Sequence, residues 1–240
     1  MQLRAAAASD IGKIRRQNED RFLCDENSGL FAVADGVGGL PGGADAAQLA
    51  VDTVMELYHS LPEGEIVDLI KIMHEANARI WTLGQNLSPE LGIATTLTLG
   101  LITGGQLYLA HVGDSRCYIW GKGKLEQLTL DHSLENEAKL RGAQRLLAYF
   151  GESSRAALTR CLGQPEPPEV DFIVRPLVVG ERILFCSDGV SRVIPEADLG
   201  EILGATDDPS AGMQKIVDTA NGRGGPDNIT GVLITVDDSE

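Results

Sequence analysis

Four aspartates stand at the ends of apolar, strand-length stretches of the chain. Asp35, Asp114 and Asp188 each follow such a stretch, and Asp227 precedes one. A single Asp–Gly pair is typical of a turn. Four aspartates at strand ends, however, are expected to converge, and bare carboxylates brought together repel and raise one another's pKa. A hard cation with oxygen ligands removes that penalty, so the pattern predicts a cation site.

The residue types narrow the choice of cation. His59, His74, His111 and His132 lie far apart, and none pairs with a cysteine motif of zinc-site spacing. Carboxylates alone favour Mg²⁺ or Mn²⁺. Two such ions about 3.5–4 Å apart suit phosphate esters, because they lower the pKa of a shared water and neutralise the attacked oxygens. The sequence therefore predicts metal-assisted phosphoryl hydrolysis.

Five short motifs follow one another in order: Arg15 with residues 18–20, then residues 34–39, 113–116, 187–189 and 225–230. This set resembles that of the metal-dependent type 2C serine/threonine protein phosphatases (the PPM family), most closely the compact, stand-alone bacterial members. The resemblance runs from residue 9 to about 236. The resemblance implies one catalytic domain over residues 1–240 that hydrolyses phosphoserine and phosphothreonine in proteins.

The resemblance also implies which residues bind the first ion and which residue binds both ions. Asp35 bridges two Mg²⁺ or Mn²⁺ ions, and the carbonyl group of Gly36 binds one of them. Asp188 and Asp227 hold the first ion. These roles are implied by the family likeness.

The remaining site residues receive their roles in the same way. Glu19 and Asp20 hold the second ion, largely through water. Asp114, with help from Asp188, is implied to bind a third, weaker ion. Arg15 matches the arginine that grips the substrate phosphate, where a planar guanidinium meets two oxygens. Arg15 and Asp35 are therefore the expected catalytic residues.

Two positions depart from the family pattern. Relatives commonly carry a histidine soon after the Asp–Gly pair, at the place of Val37 or of Leu40, and residues 35–41 contain none. The general acid is therefore unassigned. Many relatives also have an acid or amide at the place of Arg192, which here brings a cation to the side of the third ion.

The periodicity predicts the elements that position these residues. Helices are expected at about 42–58 and 63–83, followed by strands at 95–103, 106–112 and 117–120 in an antiparallel meander. Further strands are expected at 171–174, 182–186 and 229–236, and helices at about 196–203 and 209–221. This pattern favours an α+β fold. The resemblance implies a four-layer α/β/β/α sandwich of two antiparallel sheets flanked by helices.

Residues 133–158 have the composition of a helix, but their apolar pattern is interrupted. Three arginines stand among the apolar side chains. In the family a flap lies here beside the catalytic site, so we expect a mobile flap. The alternative is an ordinary amphipathic helix packed on the core.

The bulk composition limits location and partners. With 240 residues, 43% of them hydrophobic, the chain can bury the core of one domain. A net charge of −15 argues against a nucleic-acid or anionic membrane surface. The four cysteines form no paired motif, and no apolar stretch has the length of a membrane span or a signal peptide. We expect a cytoplasmic monomer.

Two functions from different classes remain open from the residues. One is an active phosphatase that acts on a phosphorylated protein and opposes a bacterial serine/threonine kinase. The other is a catalytically silent, phosphatase-like module that binds phosphoproteins or serves as a scaffold. Retention of Asp35, Asp188 and Asp227 favours the enzyme, because a silent module does not need a cluster of repelling carboxylates. The net acidity argues against a nuclease.

Overall fold

A computed structural model describes residues 1–38, 42–62 and 67–238, and within them ten strands form two five-stranded sheets. The first sheet has the order β1 (Gln2–Asp10), β10 (Ile229–Asp237), β9 (Arg182–Cys186), β6 (Arg116–Gly121) and β7 (Lys124–Gln127). The second has the order β2 (Asp20–Asp25), β3 (Leu30–Asp35), β4 (Leu97–Thr103), β5 (Gln106–Val112) and β8 (Asp171–Pro176). All neighbouring strands are antiparallel.

Helices cover the outer face of each sheet. Helices α1 (Gly43–Ser60) and α2 (Leu69–Leu87) pack on the second sheet, and α6 (Glu196–Ala205) and α7 (Pro209–Gly222) pack on the first. A third apolar layer fills the space between the sheets. The predicted α+β, four-layer sandwich is therefore confirmed.

Shorter elements complete the chain. Helices α3 (Leu134–Leu140) and α4 (Glu152–Arg155), with a 3₁₀ helix at Gln144–Tyr149 between them, lie in the predicted flap segment. Helix α5 (Asp188–Ser191) is a single turn directly after β9.

Strand β3 shows how the pleat places a carboxylate between the sheets. Ala32 and Ala34 pack towards the helices, whereas Phe31 and Val33 pack into the layer between the sheets. Because side chains alternate along a strand, Asp35 lies on the same side as Phe31 and Val33. The apolar stretch thus delivers its terminal carboxylate to the end of the layer between the sheets.

The predicted meander is wrong at its third strand. β4 and β5 pair as a hairpin, but β6 lies in the other sheet, where it pairs with β9 and β7. The residues between β5 and β6, which include Asp114, therefore pass from one sheet to the other. Hydrophobic alternation reports which residues are buried and does not report which sheet a strand joins.

Helix and strand bounds differ in places from the sequence prediction. Helix α2 begins at Leu69, where the Asp68 side chain accepts a hydrogen bond from the backbone N–H of Lys71 at 3.0 Å. The predicted start of this helix, at residues 63–66, lies outside the described residues. β1 was not predicted, because its run of alanines has low strand propensity; pairing with β10 holds it in the sheet.

The lengths of the helices and the state of the cysteines can be compared with the expectations from the sequence. None of the helices formed by residues 1–38, 42–62 and 67–238 combines the length and apolar character that a bilayer crossing requires. All four cysteines are free thiols, and Cys117 and Cys186 are buried.

Candidate active site

The four strand-end aspartates converge, as the sequence predicted, on one cleft of about 440 Å³. Its acidic lining residues are Glu19, Asp35, Asp114, Asp188 and Asp227. Two cationic side chains, Arg15 and Arg192, line the same cleft. The site thus joins the ends of strands from both sheets.

Asp20 lies behind this lining, and its residue surface is only 3% exposed. It pairs with Asp35 across the β2–β3 ladder. The hydroxyl of Ser187 donates a hydrogen bond to Asp20 Oδ2 at 2.7 Å. Ser187 belongs to the opposite sheet's strand end, so this bond ties the two halves of the site together. Ser187 lies in the 187–189 motif, but its side chain was given no predicted role, although its place before Asp188 was a usable signal.

The backbone of Asp35 is fixed by two threonines that sequence reasoning missed. The Asp35 N–H donates to the Thr96 hydroxyl at 3.0 Å. The Thr95 hydroxyl and the Thr96 N–H both donate to the Asp35 carbonyl at 2.9 Å. An adjacent threonine pair entering a buried strand was the available signal.

Gly36 is required by its close surroundings. A Cβ atom at this position would lie 2.5 Å from the carbonyl oxygen of Gly43 and 2.9 Å from that of Glu19. Such approaches are not tolerated, so only glycine allows the chain to pass here. The Gly36 N–H also donates to the Glu19 carbonyl at 3.3 Å, which holds these two predicted site residues side by side.

Asn228 organises the loop that carries Arg15 and Glu19. Its side-chain amide donates to the carbonyls of Ile11 and Gln17, both at 3.0 Å. Its side-chain oxygen accepts from the Glu19 N–H at 2.9 Å. Because Asn228 follows Asp227 directly, one residue fixes the loop against the strand that supplies a carboxylate.

Burial and mutual repulsion raise the pKa values of the clustered carboxyl groups. Burial first, and then the negative charge of Asp188, raise the pKa of Asp20 to about 6 and that of Asp114 to about 6. Burial and the charges of the other four aspartates hold the pKa of Asp35 well above its usual range. Burial, with repulsion from Asp227, also raises the pKa of Asp188. When these carboxyl groups are ionised, their negative charges are not fully balanced by nearby positive charges.

The two arginines supply part of the missing charge. Arg15 Nη2 lies 2.7 Å from Asp227 Oδ2. Arg192 Nη2 lies 2.5 Å from Asp114 Oδ2, and Arg192 Nε lies 3.2 Å from Asp188 Oδ2. A Cβ atom on Gly38 would lie 2.9 Å from Arg15 Nη1, so this glycine leaves room for the guanidinium group.

The donor set fits hard divalent cations. It consists of carboxylates and a backbone carbonyl, the ligands that Mg²⁺ and Mn²⁺ prefer. In the described part of the chain, no three acidic, histidine or cysteine side chains already form a closed metal cage. The carboxylates would therefore have to draw together around the ions.

Other polar residues near the cleft have structural roles. Arg116 makes two 2.7 Å contacts with the Asp131 carboxylate, so it forms an ion pair within the protein. The Gly113 N–H donates to His132 Nδ1 at 3.1 Å, so this histidine is hydrogen-bonded to the loop before Asp114. Arg16 is exposed. Val37 lines the cleft, and Leu40 lies outside the described residues.

The base of the predicted flap also borders the cleft. Ala156, Ala157 and Leu158 are among its lining residues. Ser133 and Leu158 pair across the two ends of the segment, so its ends are held together. In α3, whose seven residues are all described, no side chain is buried.

Comparison with known proteins gives consistent matches. Residues 14–219 match the family model described as Protein phosphatase 2C. The chain is similar to the serine/threonine phosphatase stp of Listeria monocytogenes, with 32% identity over 98% of this chain and 96% of that protein.

Solved structures agree with this match. The serine/threonine phosphatase of S. agalactiae superposes with a TM-score of 0.87 at 31% identity, covering 98% of this chain and 100% of that one. The catalytic domain of the serine/threonine protein phosphatase PstP, in complex with two manganese ions, superposes with a TM-score of 0.82 at 32% identity, covering 98% and 99%.

Proposed function

The chain belongs to the protein phosphatase 2C family and is a Mg²⁺- or Mn²⁺-dependent protein serine/threonine phosphatase, and we propose that the carboxylate cleft is its catalytic site. The observation that supports this assignment is the convergence of buried carboxylates from both sheets, several of them with raised pKa values. A cluster of this kind is costly without cations.

The proposed ligands divide into three groups. Asp35 would hold both ions, and the Gly36 carbonyl one of them. Asp188 and Asp227 would hold the first ion. Glu19 and Asp20 would hold the second, largely through water, which agrees with the position of Asp20 behind the lining of the cleft.

When bound, two such ions activate a water nucleophile and neutralise charge on the phosphate oxygens. The residues of the chain position these groups. Thr95 and Thr96 hold the Asp35 backbone so that its carboxylate faces the cleft. Ser187 keeps Asp20 oriented by donating to its carboxylate.

Arg15 is proposed to bind the substrate phosphate. It contacts Asp227 in this structure, yet its side chain remains 40% exposed at the mouth of the cleft. If Asp227 held an ion instead, the guanidinium group would be free to meet two phosphate oxygens. Asn228 holds the loop that carries Arg15, so the arginine is presented from a fixed base.

The finer biological setting is also a proposal. We infer a single catalytic domain over residues 1–240 that acts as a cytoplasmic monomer on phosphoproteins and opposes a bacterial serine/threonine kinase. Four free thiols support the reducing compartment. The flap at 133–158 borders the cleft and is proposed to help choose the phosphoprotein.

A direct experiment compares hydrolysis of a phosphothreonine peptide and of a small aryl phosphate, with manganese and with a chelator. We expect activity on both substrates only with manganese. Asp188→Asn should abolish it, whereas Asp198→Asn, on helix α6 away from the cleft, should leave it unchanged. Activity of Asp188→Asn close to that of the wild type would overturn the assignment of the site.

A further inference from the structure

Arg192 lies between two carboxylates on one side of the cleft. Its Nη2 atom is 2.5 Å from Asp114 Oδ2 and its Nε atom is 3.2 Å from Asp188 Oδ2. Asp188 and Arg192 are separated by one turn of helix, since the Arg192 N–H donates to the Asp188 carbonyl at 2.9 Å. The helical turn therefore places the guanidinium group beside Asp188, and the side chain also reaches Asp114.

The carboxylates are less exposed than the arginine. Asp114 and Asp188 have side chains that are 8% and 17% exposed, and that of Arg192 is 48% exposed. Arg192 thus closes over Asp114 from the solvent side. A third divalent ion and the Arg192 guanidinium group cannot occupy the same place beside Asp114, because the two cations would repel each other.

The charges of the site also balance with Arg192 included. Six carboxylates, the five that line the cleft and Asp20 behind them, carry six negative charges when ionised. Two divalent ions together with Arg15 and Arg192 carry six positive charges. A third divalent ion would leave the cluster with an excess positive charge before any phosphate binds.

We propose that Arg192 is the resident counter-cation of Asp114 and Asp188, so that this site takes two divalent ions and not three. The inference rests on the proposed function, which assigns every carboxylate of the cluster except Asp114 to two ions, so that Asp188 serves the first ion and also pairs with Arg192. It gives Asp114 a partner within the chain instead of a metal ion. Arg192 is a positioning residue, because it acts through these carboxylates.

The test is a count of bound Mn²⁺ per chain by equilibrium dialysis over a range of free Mn²⁺, followed by metal analysis. We expect two ions in the wild type and a third in Arg192→Gln. Charge-assisted contacts of this kind correspond to about a 10- to 100-fold change in affinity for the third ion. Arg4→Gln is the matched control, because Arg4 also pairs with a carboxylate, Asp237, with a side chain 45% exposed, outside the cleft.

Two more variants make the count decisive. Asp114→Asn in the wild-type background should still bind two ions, because Asp114 holds Arg192 and no metal. The double variant Arg192→Gln/Asp114→Asn should lose the third ion again. Thermal unfolding with and without Mn²⁺ verifies that each variant is folded and gives a second readout, since a third ion adds to the stabilisation.

The outcomes separate this inference from the proposed function. Three ions of similar affinity in the wild type and in Arg192→Gln, or two in both, would overturn the role of Arg192 while leaving the two-ion site intact. Fewer than two ions in Asp114→Asn would make Asp114 a ligand and also overturn it. Fewer than two ions in the wild type would overturn the proposed ligand assignment and this inference with it.

Discussion

Arg15 has to change partners between the free enzyme and its substrate complex. It contacts Asp227 at 2.7 Å in the structure and is proposed to bind phosphate. Arg15→Ala should raise KM for a phosphothreonine peptide by about 10- to 150-fold, because a charge-assisted contact is lost, with a smaller change in kcat. Steady-state kinetics measures this, with its exposed neighbour in Arg16→Ala as control. An equal KM for Arg15→Ala and Arg16→Ala would mean that Arg15 does not bind the substrate phosphate.

Val37 offers a place to test the unassigned general acid. The lining of the cleft, as far as the structure describes it, contains no histidine. A serine or threonine alkoxide is a poor leaving group and benefits from a proton, which an imidazole of pKa about 6.5 can donate. An activated aryl phosphate needs this donor much less. Val37→His should therefore raise turnover of the peptide more than turnover of the aryl phosphate.

The effect of Val37→His is read from the peptide-to-aryl ratio across pH. General acid catalysis contributes up to about 10²–10⁴-fold, so a partly aligned imidazole should be visible. Val37→Asn is the control for polarity and size. A ratio that stays the same in both variants would contradict the argument. The corresponding family position at Leu40 lies outside the described residues.

The flap segment joins the cleft at its base only. Its ends pair through Ser133 and Leu158, so a short glycine–serine linker can replace residues 135–155, none of which is among the described lining residues of the cleft, without opening the sheets. The exposed side chains of Leu140 and Tyr149, at 67% and 85%, contribute little to the core. We expect the shortened protein to lose turnover of phosphopeptides while turnover of a small aryl phosphate stays within a few-fold of the wild type.

The kinetics of the shortened protein should be accompanied by its melting temperature. Equal losses on both substrates together with a lower melting temperature would mean that the segment supports the fold. A selective loss on the peptide would assign it to substrate choice.

The stability of the metal-free protein should depend on pH because of the buried carboxyl groups. Asp20 and Asp114 have folded pKa values of about 6, above the usual value of about 3.9 in an unfolded chain. Their protonation stabilises the fold below about pH 4, and this contribution is lost as the pH rises through 6. Mn²⁺ should therefore raise the melting temperature more at pH 7.5 than at pH 5.

His111 contributes with the opposite sign in the same pH range. Burial, and then the neighbouring His132, lower its pKa to about 4 against the pull of Asp171 and Asp131. Its contribution to stability is present above about pH 6.5 and is lost as the pH falls towards 4. The contribution of His111 is the same with and without metal. The difference between the melting temperatures with Mn²⁺ and with chelator therefore reports the contribution of the carboxyl groups. If Mn²⁺ raised the melting temperature equally at pH 7.5 and at pH 5, the predicted effect of the carboxyl groups would be contradicted.

The sequence predicted most of the layers and the convergence of the acids, because the apolar stretches that precede Asp35 and Asp188 have a strong local signal. It could not predict that β6 leaves the sheet of β5, since pairing partners depend on contacts far apart in the chain. The bonds of Thr96 and Ser187 were missed for the same reason. Each of these side chains acts through a residue on a different strand.

Asp35 is the residue on which the proposed two-ion site depends most. It ends a strand between the sheets, is proposed to bridge both ions, and is fixed by bonds that do not involve its carboxylate. Asp35→Asn should therefore keep the fold, and removal of a buried charge should not lower the melting temperature of the metal-free protein.

The most direct measurement is Mn²⁺-dependent turnover of a phosphothreonine peptide by Asp35→Asn, with Asp52→Asn on the exposed side of α1 as control. Loss of several kcal/mol of transition-state stabilisation predicts a decrease of at least about 1,000-fold, with weaker binding of both ions. The control should match the wild type. Turnover of Asp35→Asn within about tenfold of the wild type, with the Mn²⁺ count unchanged, would contradict the bridging role and the site built around it.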